Sequence, residues 1–488
     1  MRMARILLAA MVAAAGNVAV LATPVAAATP EVRKIGEEKT ANVHLRESVK
    51  GHIVHEPGST YIKVHLRLSP DAHVTVANPA GTEVHTYHGT KQAGDSDATL
   101  HQRPGFGALS IDGDTAVITR LSGTVHIDGY WRGYRQDEMS IQSVCGTDAR
   151  RDVVCYQSSH ATEFAKSAAV AKLLIGGGGS CTTWRVGNTN RMLTNKHCFS
   201  TQTQVQSSEM QFNYQCATCG GNNPGVGTKV SGSTLIKVST GGSSELDYTL
   251  YSVNNFTAIQ GFGTLYLETR APVNGERIYI PGHGDGSPKR LSIYEDTQGG
   301  ALCTVRNAAI NSWNMSYSCD TSGGNSGSPV LSANHKVLAL HHLGGCPNNQ
   351  GARMHLIYNQ ISTLIDNNSG GTPPGPRFEN ATNVTISDNV TVTSPITVSG
   401  VSGNAPSTLR VDVNIVHTYR GDLILRLLAP DGTSYLLEDF VNTDSADNVV
   451  KSYTVNASSE LANGTWRLQV QDIAANDVGY IDVWALNF

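Results

Sequence analysis

Gly323-Gly324-Asn325-Ser326-Gly327-Ser328-Pro329 sets one hydroxyl among glycines. Acyl transfer needs a nucleophile held on a tight turn, with backbone N–H groups aimed at the oxygen that becomes negative. Glycines on either side allow such a turn and let another backbone come close. Alone, the string is only moderately specific, because Gly/Ser-rich loops are common surface turns. A second segment upstream, Leu193-Thr194-Asn195-Lys196-His197-Cys198, strengthens it by supplying a histidine, the usual base for a hydroxyl nucleophile.

Together the two segments resemble the chymotrypsin-like serine endopeptidases, most of all the bacterial branch that holds lysyl endopeptidase and the glutamyl endopeptidases. That branch carries a T-x-x-H-C segment, an aspartate in an S-x-x-D-x-T-L segment, and G-x-S-G-S-P. The aspartate segment here is Ser243-Ser244-Glu245-Leu246-Asp247-Tyr248-Thr249-Leu250. The order His197, Asp247, Ser326 is that of chymotrypsin, unlike subtilisin or the α/β-hydrolases. The likeness covers roughly residues 141–366. It implies that Ser326 attacks, His197 carries the proton, and Asp247 orients the imidazole. The N–H groups of Gly324 and Ser326 would form the oxyanion hole. Asp285 and Asp320 are the nearest rivals to Asp247; the first sits in a Gly-rich loop, the second close to the nucleophile.

Two residues point to opposite specificities. Asp320, six residues before Ser326, stands where trypsin keeps the carboxylate that binds Arg or Lys at P1, the acyl-side residue of the cut. Several glutamyl endopeptidases also show a D-T-x-G-G-x-S-G-S-P run, which implies a structural role for Asp320 as the alternative. His341 stands where those enzymes place the histidine that meets a P1 carboxylate. The corresponding lysyl endopeptidase histidine matches His342, and that enzyme's lysine-binding aspartate aligns with Asn349. Gly344 and Gly345 line the pocket wall on either reading. The expectation is P1 Lys or Arg, with Glu as the alternative. Asn325 replaces the aspartate with which trypsin-type enzymes capture a new N-terminus, so a zymogen salt bridge of that type is not expected.

The chain has 488 residues, enough for two to four domains. Arg2 and Arg5, an apolar run from Ile6 to Val20, and Ala26-Ala27-Ala28 read as a secretory signal peptide over residues 1–28. No later run is long enough to span a bilayer, and the expected location is extracellular. A net charge of −4 gives no argument for nucleic acid or an acidic membrane as partner. Short alternating runs such as Tyr61–Leu68 dominate, with one short helix expected near His355–Ile365, so the class is mostly β.

All nine cysteines lie between Cys145 and Cys346, which in an exported chain reads as disulfides stapling one domain. Cys181 and Cys198 bracket a strand-turn-strand segment and should pair. The lysyl endopeptidase pattern implies Cys145 with Cys346 and Cys155 with Cys219, leaving Cys303 with Cys319. Cys216 is then odd, either free or exchanging with Cys219. No catalytic metal is expected, since Cys216-x-x-Cys219 lacks a second ligand pair.

Residues 29–140 lack cysteine and carry strand-like runs, including Val74–Val76 and Ala116–Ile118. Between a signal peptide and a protease-like segment, they read as a pro-region that blocks the cleft or assists folding; a permanent β-domain is the competing reading. Residues 367–377 form a Gly/Pro-rich linker. Beyond it, Leu409–Leu423, Leu427–Thr433, Asn463–Leu468 and the ending Trp484–Phe488 resemble, in order, the P (P/Homo B) domain of proprotein convertases. That resemblance implies a jelly-roll-like β-sandwich over residues 378–488, and Val411, Val413 and Ile415 alternate as an inward strand face requires. Asp422 with Asp472 and Asp477 offers oxygens for a structural calcium, although turn carboxylates explain them as well.

The expectation as a whole is a secreted serine endopeptidase built from a β-rich pro-region, a chymotrypsin-like double β-barrel and a P-type sandwich. Its partners would be protein or peptide substrates and its own pro-region, with no cofactor required. An inactive secreted binding or adhesion protein is the alternative.

Overall fold

The computed structural model describes residues 32–90, 98–101, 103–135, 138, 144, 146–242, 245–297, 299–345, 348–367, 377–401 and 403–488. The segment read as a signal peptide, both Cys145 and Cys346, and nearly all of the linker lie outside the described residues. Antiparallel sheets dominate, and the fold is mostly β. No helix among the described residues is long and apolar enough to cross a membrane.

The peptidase-like segment makes two sheets. The first runs Gly179–Arg185, Val170–Ile175, Ser208–Phe212, Thr228–Val238, Thr249–Val253 and Met192–Thr194, and pairing of Met192–Thr194 back onto Gly179–Arg185 closes it into a six-stranded barrel. Its interior is filled by residues such as Leu173, Met210, Phe212, Val230 and Tyr251. The second sheet runs from Arg151–Asp152 through Arg290–Ser292, Ile278–Gly282, Pro329–Ser332, Val337–Leu343, Asn349–Arg353 and Asn314–Tyr317 to Val305–Asn307. The two pack through a shared core around Trp184, Leu193, Tyr248, Leu291 and Leu340. The helix Met354–Ile361 closes this core by burying Met354, Ile357 and Ile361, a stripe at helical spacing.

N-terminal to the closed barrel and the open second sheet lies a lobe of two sheets. One orders Gly51–His55, Thr115–Ser122, His73–Ala77 and Val84–His88; the other is centred on Gly36–Leu45, Val125–Gly133 and Tyr61–Leu68. Val74, Val76, Ala116 and Ile118 are fully buried between them. The lobe reaches the first barrel in two ways. Strand Arg33–Lys34 adds to the barrel edge, Arg33 opposite Ser180 and Lys34 opposite Gly179. Buried ion pairs cross the junction as well: Lys63 to Glu209 at 2.7 Å and Lys229 to Glu83 at 2.6 Å and to Asp112 at 2.9 Å. Burial works to raise the Glu209 carboxyl, but the Lys63 and Lys229 charges outweigh it and hold it at about 2.

At the C-terminal end, Arg377–Asn380, Gly479–Asn487, Leu409–His417 and Val449–Val455 face a second sheet of Thr391–Val398, Gly464–Asp472, Leu423–Leu428 and Ser434–Glu438. In Leu409–His417 every second residue is buried, Val411, Val413 and Ile415 among them, and Trp466 and Trp484 fill the space between the sheets.

Candidate active site

His197 follows the strand Met192–Thr194, where the chain folds around the main chain of Asp247. Asn195 Nδ2 and the Lys196 N–H both donate to the Asp247 carbonyl, at 2.9 and 3.1 Å. Asp247 holds a left-handed backbone (φ 44°), a conformation aspartate tolerates better than most residues. Its carboxylate faces back to the histidine. Oδ1 accepts from the His197 backbone N–H at 3.0 Å, and Oδ2 accepts from Nδ1 at 2.7 Å. With Nδ1 donating to a carboxylate, the lone pair is on Nε2, and Nε2 is buried without a hydrogen-bond partner. No hydrogen bond joins it to Ser326 Oγ; such contacts commonly tighten only when substrate is bound.

A second histidine shares the same carboxylate. His342 Nδ1 lies 3.2 Å from Asp247 Oδ2, and its Nε2 is 3.1 Å from Asn314 Oδ1. Burial works to raise the Asp247 carboxyl; the hydrogen bonds from His197 and His342 outweigh it and hold it below its ordinary value. Successive residues of the strand Val337–Leu343 point to opposite faces, so His341 looks the other way, onto the Tyr317 hydroxyl at 2.6 Å. Burial, with smaller contributions from the His342 and His197 charges, lowers His341 to about 3, so it is neutral at pH 7.

The Gly323–Pro329 loop is pinned to the strand that carries Cys181. The Thr182 N–H donates to the Ser326 carbonyl at 2.8 Å, Thr182 Oγ1 to the Gly324 carbonyl at 2.9 Å, and Trp184 Nε1 to the Gly327 carbonyl at 3.0 Å. Gly324 takes φ 98°, and a Cβ there would press on the His283 carbonyl and the Asp285 N–H at 3.0 and 3.1 Å. Gly327 takes φ 88°, where a Cβ would collide with the Thr182 carbonyl. Asn325 is buried, its Oδ1 accepting from Ser328 Oγ at 3.3 Å.

Asp320 is 2 % exposed, and its Oδ2 accepts the Ala149 N–H at 2.9 Å. Asn349 donates from Nδ2 to the Cys319 carbonyl at 2.7 Å and accepts the Gly345 N–H at 3.1 Å. Gly344 and Gly345 therefore run on from His341 and His342 beside the Cys319–Asp320 segment. Disulfides join Cys155 to Cys219, Cys181 to Cys198 and Cys303 to Cys319, and Cys216 is buried and free. Among the described residues, Cys181, His197 and Cys198 are the group of metal-ligand type that gathers within 4.8 Å, and the sulfurs of this group are bonded to each other.

The sequence motifs did not mark Tyr317 on His341 or Thr182 under Ser326, and they marked His342 without its bond to Asp247. Period-2 alternation around 341 and 342 was the available signal, since it separates the two histidines onto opposite faces.

Residues 179–340 match the trypsin-like peptidase domain, and residues 406–488 match the proprotein convertase P-domain. Leupeptin-inactivating enzyme 1 of Streptomyces exfoliatus is 61% identical over 118 residues, 24% of this chain and 27% of that protein. Secreted RxLR effector protein 73 of Plasmopara viticola is 36% identical over 218 residues, 43% of this chain and 53% of that protein. A transglutaminase-activating metalloprotease of Streptomyces mobaraensis is 54% identical over 123 residues, 25% of this chain and 16% of that protein. The chain thus spans about half the length, or less, of these curated relatives. Among solved structures, a Glu endopeptidase in complex with MPD is 18% identical, covers 46% of this chain and 99% of that one, and has a TM-score of 0.35. By these matches and its sheets, the chain carries a trypsin-like peptidase domain over residues 179–340 and a proprotein convertase P-domain over residues 406–488.

Proposed function

We propose that the protein is a secreted serine endopeptidase that works through His197, Asp247 and Ser326. The observation that carries this is the 2.7 Å bond from His197 Nδ1 to Asp247 Oδ2, which leaves Nε2 as the base. Ser326 Oγ attacks the scissile carbonyl while His197 Nε2 takes its proton, and the tetrahedral oxyanion is met by the N–H groups of Gly324 and Ser326. His197 then protonates the leaving amine. Water, deprotonated by the same nitrogen, hydrolyses the acyl-enzyme. Asp247 stays ionised throughout, held so by two histidines, and stabilises the imidazolium. The N-terminal lobe acts as the pro-region and inhibitor, and the signal peptide directs export.

The P1 preference has two readings. A basic P1 residue would be met by Asp320. The bond from the Ala149 N–H to Asp320 Oδ2 favours the second reading, because it ties that carboxylate to the main chain. There a P1 glutamate is met by His341, held by Tyr317, with Gly344 and Gly345 as the wall. A structural calcium at Asp422, Asp472 and Asp477 is a separate proposal: burial, then the charges of Asp472 and Asp477, raise the Asp422 carboxyl, and a cation there would relieve it. A rise in the melting temperature of the P-domain on adding calcium, absent in Asp422→Asn, supports it; no rise removes it.

Mass-spectrometric mapping of cuts in a diverse peptide library, with Ser326→Ala as control, tests the main proposal. Cuts that vanish in the control support it, and the residue before the cut decides between Asp320 and His341. A properly folded, matured protein that makes no cut favours a binding protein.

A further inference from the structure

The strand Arg33–Lys34 lies along the barrel edge beside the nucleophile loop. Arg33 is opposite Ser180 in an antiparallel pair, and the Ile35 N–H donates to the Gly178 carbonyl at 2.9 Å. Two residues further along the same barrel strand, Thr182 donates to the Ser326 carbonyl at 2.8 Å. The pairing direction fixes what a peptide on this track would do. Moving toward the peptide's N-terminus advances the partner from Ser180 to Cys181 to Thr182. The residue two positions before the Arg33 position therefore arrives beside Ser326, so the Arg33 position is on the leaving-group side, second past the bond that would be cut.

The side chain at that position meets a built surface. The Arg33 stem lies across Gly323, where a Cβ would come within 3.0 Å of its Cδ. Its guanidinium pairs with Asp285 at 3.3 Å, the two side chains being 12% and 11% exposed. Asp285 is held there by its own N–H, which donates to the Gly323 carbonyl at 2.5 Å, and by a left-handed backbone of φ 58°. A second cation near this turn, Arg150, is bound to Ser322 Oγ and Asp148. Asp285 is thus positioned one residue from the oxyanion-hole glycine and takes a cation from an extended chain.

We infer that Asp285 is a specificity residue for the leaving-group side, selecting arginine or lysine as the second residue past the cut, and that Arg33 of the N-terminal lobe fills this subsite as a tethered competitor. The inference rests on the peptidase reading above. Recognition combines main-chain pairing with the edge at Gly179–Ser180 and a charge-assisted contact to one carboxylate.

Two readouts on the full-length chain test it. Fluorescein-labelled Thr-Pro-Glu-Val-Arg-Lys, copied from residues 29–34, and the same peptide with Ala for Arg are titrated by anisotropy into the Arg33→Ala, Ser326→Ala variant. The Arg peptide is expected to bind at least about fivefold tighter. Adding Asp285→Asn should bring the two peptides level, and Asp285→Lys should reverse the preference toward a peptide with Glu in place of Arg. Internally quenched versions of both peptides are then given to the protein with Ser326 intact, and the ratio of kcat/KM should follow the binding ratio. Equal binding of the Arg and Ala peptides overturns the subsite, as does a preference that survives both Asp285 variants. Selective binding without any cleavage would instead contradict the peptidase function and leave the subsite standing.

Discussion

The N-terminal lobe and the C-terminal sandwich are made of the same material, short antiparallel strands around an aliphatic core, but they join the peptidase differently. The lobe lends a strand to the barrel and pushes charged side chains into the junction, where Lys63, Glu209, Lys229 and Glu83 are nearly inaccessible. The sandwich closes its core on itself, and among the described residues an ion pair from Arg410 to Asp366 at 3.8 Å, with side chains 27% and 38% exposed, links it to the peptidase segment. Paired charges, here beside a small apolar contact of Ile35 and Tyr61 with Leu174, leave surfaces that water accepts more readily once they part than an aliphatic interface would. The lobe is thereby suited to a contact that is firm while it lasts and separable afterwards, as a pro-region requires. The sandwich is suited to being a tethered passenger.

The comparison breaks most sharply at Lys229. Removing it as Lys229→Ala leaves Glu83 and Asp112 buried without their cation, at a cost of about 3–5 kcal/mol. Denaturant unfolding followed by domain-resolved hydrogen exchange should show the loss in the lobe and first barrel, with the sandwich unmoved. A loss below about 1 kcal/mol would mean that the junction is wetter than described.

Acid should come next. Burial lowers His65 to about 4 and His101 to about 2, so both are neutral in the folded lobe at pH 7. The unfolded chain binds these protons near pH 6.5. Folding stability is therefore complete above that pH and falls as pH drops from 6.5 toward 4, by on the order of 2 kcal/mol per histidine at pH 5. Thermal melts of the lobe between pH 7 and 5 measure this. His65→Gln should flatten the dependence, and a lobe equally stable across the range would contradict the burial described. The smallest effect is expected at the other junction: in a double-mutant cycle of Arg410→Ala and Asp366→Ala the coupling should be less than about 1 kcal/mol, because a partly exposed pair is screened by water. A larger coupling would show the sandwich to be integrated after all.

Much of the site was legible because its chemistry demands particular residues at short range. The glycines around Ser326, the His197 segment and Asp247 are each readable in a few residues, and the P-domain was readable from four short segments that resemble, in order, the convertase module. Val74–Val76 and Ala116–Ile118 were visible as strands, and in the fold Val76 pairs with Ile118. What could not be read was pairing between distant segments. Lys229 and Glu83 are 146 residues apart, and nothing local marks either as buried. Arg33 and Asp285 belong to different lobes, each an ordinary charged residue until the strand addition brings them together. The roles of His341 and His342 depended on which face of one strand met Asp247. Asp320 had the position of a pocket carboxylate, but only the fold could supply its Ala149 partner.

The central claim is that Ser326 is a nucleophile activated by His197. Intact-mass and peptide-mapped labelling of the matured protein with a fluorophosphonate tests this most directly. One adduct per chain is expected, located on Ser326, lost in Ser326→Ala and strongly slowed in His197→Ala and Asp247→Asn. A folded protein that takes no label, or that is labelled at another residue while Ser326 stays free, would contradict it.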